Sequence, residues 1–201
     1  LKQIVEFKDA DGATRKISLC NGGAMALSQS ALAKYLPRLN NDNAQGEYYL
    51  PDLVGLAAQD GASTGLVMAK PEDTMGVDGR AGQAKAEGLM QKRLRQSFLD
   101  AGVGMQDPDS VFLSYDTKID ADVVLEPNVK INPGVSIEAG TVIKAFTHLE
   151  GVSIGKAAQI GPYARLRPGT QVGDEAKIGN FVETKKSIIG KGAKISHLSY
   201  I

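Results

Sequence analysis

Apolar residues in the last quarter of the chain recur every six positions. Ile154, Ile160, Leu166, Val172 and Ile178 make the series, and Gly155, Gly161, Gly173 and Gly179 follow four of them. The exception, Leu166, is followed by Arg167. A looser run precedes the series at Val123, Val129 and Val135. A helix repeats at 3.6 residues and a strand at 2, so neither produces a period of six. A parallel β-helix does, with one short strand and one turn per hexad. The recurring apolar residue then points inward against the coils above and below. The glycine permits a tight corner without a Cβ clash. Between Ile178 and Ile189 eleven residues stand where two hexads need twelve, so the register slips. Such slips mark loops or places where function interrupts a scaffold.

The preceding segment has a different period. Residues 77 to about 101 are rich in Ala, Gln, Glu, Lys and Arg, all good helix formers. Ala86, Met90, Leu94 and Phe98 fall on one stripe, and Gly102 follows as a helix stop. The pattern predicts a long amphipathic helix, either a connector between domains or a core helix of the first.

Residues 1 to about 72 read as mixed α and β. Ile4–Phe7, Ile17–Cys20 and Gly65–Ala69 have strand-like composition. Ser28 is placed to cap a helix over Gln29–Leu36, ended by Pro37, and Pro51 to open a second helix reaching Gly61. Strand, helix, helix, strand is part of an α/β domain, without the repeated βα units of a complete parallel sheet.

Charge alters this picture in one place. The whole chain balances 23 basic against 23 acidic side chains, which excludes a uniformly basic nucleic-acid binder. Residues 151–201 nevertheless carry eight Lys/Arg against three acids. That local excess favours an anionic ligand, or is simply a solvated basic face. No apolar run approaches the roughly 18 residues of a membrane helix. The single cysteine, Cys20, can form no internal disulfide, which fits a reducing cytoplasm. No Cys/His cluster has zinc-ligand spacing, and Gly22-Gly23 is too short for a phosphate loop. The chain begins at Leu1 without a signal-peptide pattern and ends on apolar residues. Both ends read as cuts through a longer protein.

Three hexads per coil make a triangular prism, so residues 18 apart stack at the strand spacing of roughly 4.8 Å. Arg167 and Lys185 are 18 apart, and both occupy the slot where glycine otherwise sits. Two stacked cations repel by about 1 kcal/mol or more. They either bracket an anion, for which phosphate is the natural candidate, or splay into water. His197, two hexads beyond Lys185, would take the same slot on another face. It is a ready general base near neutral pH, with Glu183, Lys185 and Tyr200 for company. His148 lacks such neighbours in the sequence and reads as structural.

Five blocks are similar to one family: Ile4–Ala10, Asn43–Asp52, Gly161–Gly169, Gly179–Lys186 and His197–Ile201. Together they resemble the bacterial bifunctional enzyme of UDP-N-acetylglucosamine synthesis, which is both glucosamine-1-phosphate N-acetyltransferase and N-acetylglucosamine-1-phosphate uridylyltransferase. The resemblance spans essentially the whole chain in order. It implies the C-terminal part of a Rossmann-like uridylyltransferase domain over 1–80, a linker helix over 81–101, and the N-terminal part of a left-handed β-helix over 102–201. It implies a cytoplasmic homotrimer with magnesium, UTP and acetyl-CoA as cofactor and co-substrates, and no nucleic-acid or membrane partner. Its sugar substrates would be glucosamine-1-phosphate and N-acetylglucosamine-1-phosphate. The product would feed peptidoglycan and lipopolysaccharide synthesis.

By the same resemblance, Glu6 and Asn21 contact the N-acetylglucosamine moiety, and Tyr49 lies in that region. Asp78, in Gly76-Val-Asp-Gly-Arg80, stands where the family has an asparagine that ligates magnesium. Aspartate also ligates through oxygen, but it adds a negative charge beside a pyrophosphate. Gly22 and Pro51 replace threonines expected near the sugar. Arg167, Lys185 and Tyr200 match sugar-phosphate contacts, His197 matches the proton acceptor, and Glu183 would orient or balance it. The glycine-rich nucleotide loop and the acetyl-CoA-binding coils do not match within these residues, so the chain alone is expected to be inactive. The competing readings are a single-activity acyltransferase or sugar nucleotidyltransferase, and a non-catalytic trimerisation scaffold.

Overall fold

The computed structural model describes residues 1–201 and divides into two compact units, Leu1–Asp78 and Gly79–Ile201.

In the first unit the two helices form where caps and proline direct them. Ser28 Oγ accepts from Ala31 N at 3.1 Å and starts α1, Gln29–Tyr35. Pro37 then tightens the chain into a 3-10 turn over Leu36–Arg38. Pro51 precedes α2, Asp52–Gln59, and Gly61 at φ +73° ends that segment. Tyr35, Leu53 and Ala57 form a small core. Asp60, just past α2, binds Lys34 at 2.7 Å and Arg38 at 2.9 Å, tying the end of α2 to the end of α1.

The expected strands at Ile4–Phe7, Ile17–Cys20 and Gly65–Ala69 do not form, so the Rossmann-like sheet is absent from the first unit. A strand exists only when a neighbour satisfies its backbone N–H and C=O groups. These segments find no ladder partner within the chain, and most of their apolar side chains stay exposed, Val67 at 90%, while Ile4 and Val5 are half-buried.

The second unit opens with α3, Arg80–Asp100, which Gly102 ends at φ +92°. The helix groups with the β-helix rather than with the first unit. Leu94 and Phe98 of the expected stripe do face its core, but Met90 is exposed. The most buried positions are polar, Gln91 and Arg95. The Gln91 amide donates to Leu113 O at 2.7 Å and accepts from Leu113 N at 2.9 Å. One side chain thus does for Leu113 what a neighbouring strand would do. Arg95 reaches Val111 O at 3.3 Å and Asp109 at 2.8 Å. Gln91→Leu would make the helix more apolar yet destabilise the unit by about 1–3 kcal/mol, because two buried backbone groups lose their partner. Denaturant unfolding of the variant measures this.

From Gly104 onward, two-residue parallel strands wind into a solenoid with three faces. Face I contains Lys130–Ile131, His148–Leu149, Arg165–Leu166 and Glu183–Thr184. Face II runs from Lys118–Ile119 to Ile188–Ile189, and face III from Gly104–Met105 to Lys194–Ile195. The hexad series Ile154, Ile160, Leu166, Val172 and Ile178 is buried in one continuous core. Val123, Val129 and Val135 are also inward, one step before each strand. Each coil therefore buries two positions per face.

The glycine slot has a steric cause. A Cβ on Gly173 would lie 2.7 Å from Lys191 N, and one on Gly155 2.9 Å from Asp174 N. A Cβ on Gly179 would overlap the Ser196 carbonyl oxygen. Faces II and III pack the next coil down on this slot. On face I the slot holds Glu150, Arg167 and Lys185 instead, one residue past each inward side chain. Two steps of five residues interrupt the hexads: the expected one, Thr184 to Ile189, and an earlier one, Leu149 to Ile154. No helix is long and apolar enough to cross a membrane.

Candidate active site

Face I presents two outward columns. The first is Lys130, His148, Arg165, Glu183 and Tyr200, each the register partner of the next. The second is Asn132, Glu150, Arg167 and Lys185, one inward residue further along each strand. Arg165 pairs with Glu183 and Leu166 with Thr184, which sets Arg167 directly against Lys185 on the next coil. The 18-residue arithmetic thus holds for the stacked cations.

The charge between them is supplied by the chain itself. Glu183 Oε1 lies 3.0 Å from Arg167 Nη1 and 3.9 Å from Arg165 Nη1. Lys185 is exposed, with no carboxylate within ion-pair distance. Three cations and one carboxylate on adjacent coils leave a net charge of about +2 facing solvent, suited to a phosphate dianion.

His197 does not take the expected slot. The five-residue step from Thr184 to Ile189 moves every later residue by one, so Ser196 follows the inward Ile195 and His197 falls on the corner. There Leu198, at φ +49°, donates from its N–H to Asn180 O at 3.2 Å, and Ser199 Oγ donates to His197 O at 3.0 Å. The imidazole is exposed and hydrogen-bonds none of Glu183, Lys185 and Tyr200. It stands at the corner that leads into Tyr200, which the fold sets beside Glu183.

Sequence reasoning misses Arg165 and the charged neighbours of His148. His148 lies between Lys130 and Arg165 on the same face, and its Nε2 accepts from Asn132 Nδ2 at 3.0 Å. Partial burial, then the positive charges of Lys130 and Arg165, hold its pKa below the usual histidine value. The signal for Arg165 is the same 18-residue step, taken from the strand residue rather than from the glycine slot. His148 is hidden by the earlier five-residue step.

The sign of the His148 shift sets a pH dependence. Well above pH 7 it is neutral in the folded and unfolded states and contributes no slope. As pH falls below about 6.5 the unfolded chain takes up the proton first, so stability is lost down to the lowered folded value. His148→Gln should flatten the pH dependence of the melting temperature in that window and leave it unchanged above it.

In the first unit, Glu6 and Tyr49 line one open cleft with Asp9, Arg38, Asn43 and Asp52. Tyr49 Oη accepts from Gln45 Nε2 at 2.8 Å. Burial raises the Asp52 pKa, and the negative charge of Asp9 raises it further. Asn21 is not part of the cleft lining, and its Oδ1 accepts from Gly23 N at 3.1 Å. At Gly22 a Cβ would lie 2.7 Å from the Thr74 methyl, so a larger residue there would have to displace the Thr74 side chain. Asp78 belongs to no group of three His, Cys, Asp or Glu side chains arranged to hold a metal. Magnesium is commonly held by one or two carboxylates together with substrate phosphates and waters, so Asp78 would supply one oxygen ligand to such an ion.

Short parallel strands stacked coil on coil in three faces define a hexapeptide-repeat protein, and residues 151–186 match the family of the bacterial transferase hexapeptide (six repeats). The Bifunctional protein GlmU of Parvibaculum lavamentivorans is 59% identical over 199 residues, covering 99% of this chain and 44% of that protein. The Bifunctional protein GlmU of Zymomonas mobilis is 46% identical over 201 residues, covering all of this chain and 45% of its own length. This chain is a homologue of part of the GlmU proteins, spanning just under half the length of these relatives. Among solved structures, the acetyltransferase domain of PglB from Neisseria gonorrhoeae, in complex with acetyl coenzyme A, superposes at a TM-score of 0.28. Its identity is 16%, over 55% of this chain and 63% of that one, too loose a match to bear an argument.

Proposed function

We propose that the intact polypeptide containing these residues transfers an acetyl group from acetyl-CoA to glucosamine-1-phosphate, and then a uridyl group from UTP to N-acetylglucosamine-1-phosphate with release of pyrophosphate. The observation that carries the acetyl-transfer half is the convergence of Arg167, Lys185, Glu183 and Tyr200 on one face of adjacent coils. The similarity to GlmU proteins supports both halves.

In this reading Arg167 and Lys185 hold the sugar phosphate, Arg167 through a planar fork and Lys185 as a mobile point charge. Tyr200, exposed beside Glu183, closes the sugar site. A protonated amine has no lone pair, so the ammonium first gives up one proton to solvent, and His197 takes a second from the nitrogen as it attacks the thioester carbonyl. The C–N bond forms, the C–S bond breaks, and the leaving CoA thiolate takes the proton from the imidazolium. Direct transfer needs no acyl-enzyme, and the one cysteine, Cys20, belongs to the other unit. Glu183 balances the charge that develops on the imidazolium. In the first unit, Glu6 and Asn21 would contact the N-acetylglucosamine moiety, with Tyr49 in the same region and Asp78 beside the pyrophosphate.

The protein is proposed to work in the cytoplasm as a homotrimer. Residues 1–201 alone are proposed to lack turnover, since the coils that would bind acetyl-CoA and the nucleotide loop lie elsewhere in the polypeptide. A second reading, with acetyl transfer only, is favoured by Asp78, whose negative charge would sit beside the pyrophosphate of the uridyl transfer.

Assaying the intact polypeptide for CoA thiol release tests the proposal. Release with glucosamine-1-phosphate but not with glucose-1-phosphate, which lacks the amine, is expected. No release with either would overturn acetyl transfer. Uridyl transfer from UTP separates the bifunctional reading from the single-activity one.

A further inference from the structure

Glu183 poses a problem for the phosphate site. In the free protein its Oε1 occupies Arg167 Nη1 at 3.0 Å, one of the donors the sugar phosphate would need. A phosphate arriving at Arg167 meets a carboxylate already bound there, and the two anions repel. Arg167 and Glu183 are both about one-third exposed, so solvent does not fully screen that repulsion. Either Glu183 stays, leaving Lys185 to bind the phosphate alone, or Glu183 moves to another cation.

A second cation is already within reach. Arg165 Nη1 is 3.9 Å from the same Oε1, and no other ion pair engages it. Closing that gap to hydrogen-bond length takes a movement of about 1 Å. Arg165 is the register partner of Glu183, so the backbone holds the two side by side on one column. Its side chain is 55% exposed and free to follow the carboxylate. On its other side lies His148, whose Nε2 is 3.0 Å from Asn132 Nδ2, a contact directed away from Glu183.

We infer that Arg165 is a positioning residue that takes Glu183 from Arg167 when the sugar phosphate binds. The exchange frees the Arg167 fork for phosphate, keeps Glu183 neutralised, and shifts its carboxylate along the column it shares with Tyr200. It rests on the proposed sugar-phosphate site.

The test uses the intact polypeptide and steady-state acetyl transfer with glucosamine-1-phosphate as the varied substrate. Arg165→Met should raise KM about tenfold, with kcat changed by no more than about twofold, the size of one lost charge-assisted contact. Arg165→Lys should recover most of the loss, since a cation at that place suffices. In a Glu183→Gln background, Arg165→Met should add nothing to KM, because the carboxylate it holds is gone. An unchanged KM in Arg165→Met would overturn the inference. So would a full tenfold cost persisting beside Glu183→Gln, which would mean that Arg165 touches phosphate itself. Arg167→Ala separates the two levels. If it raises KM while Arg165→Met does not, only the exchange fails; if neither raises KM, the sugar-phosphate site fails with it.

Discussion

Replacing His197 by alanine in the intact polypeptide should lower kcat for acetyl transfer by about 10²–10⁴-fold, with KM for glucosamine-1-phosphate changed far less. The reason lies in where the residue stands. It sits exposed on the corner before Tyr200, outside the Arg167–Glu183 ion pair. Losing it removes a proton acceptor and leaves the phosphate contacts in place. The pH profile gives a second readout. The shape of the profile should change in the variant, since activity should then follow the fraction of free amine alone. Equal losses in wild-type and variant activity across pH would argue against a proton-transfer role. Steady-state kinetics from pH 5.5 to 9 provide the comparison.

Gly179→Ala should produce the largest effect on stability. Its Cβ would overlap the carbonyl oxygen of Ser196, a backbone atom of the next coil that cannot rotate away. Gly179 N also donates to Ile195 O at 2.8 Å, so the clash falls on a ladder bond. Coils from about 188 onward must lift or pair out of register. The expected cost is more than about 3 kcal/mol, the upper end for forced overpacking, and a melting temperature lower by on the order of 10 °C. Because Tyr200 and His197 lie on the lifted coil, sugar-phosphate binding should weaken as well. Gly104→Ala is the control, since its Cβ would meet only ordinary contacts at 3.5 Å or more. It should shift stability by less than about 1 kcal/mol. Thermal unfolding of the two variants beside the wild type checks both expectations.

The solenoid is legible in the sequence because its period is geometric. Each inward residue packs on its counterpart one coil away, so Ile160 and Ile178 must both be apolar. The stacked cations are legible for the same reason. What escapes has three physical origins. Gln91 and Arg95 answer unpaired backbone groups of the first coils, a need that a hydropathy stripe does not record. The strand-like segments of the first unit have the right local composition, but pairing is a long-range matter and no partner lies within the chain. His197 shifts off its slot because a single five-residue step, Thr184 to Ile189, moves every later side chain by one position. A step of that size is visible in the spacing, yet which face absorbs it is settled only by packing.

The central claim is that face I binds a sugar phosphate between Arg167 and Lys185. Calorimetric titration of the intact polypeptide with glucosamine-1-phosphate tests it most directly, comparing wild type with Arg167→Ala and Lys185→Ala. The account predicts that each substitution weakens binding by about 10- to 100-fold, as loss of a charge-assisted phosphate contact should, and that neutralising both abolishes it. Affinity unchanged in both single variants would contradict the account and leave the stacked cations as a solvated edge of the scaffold.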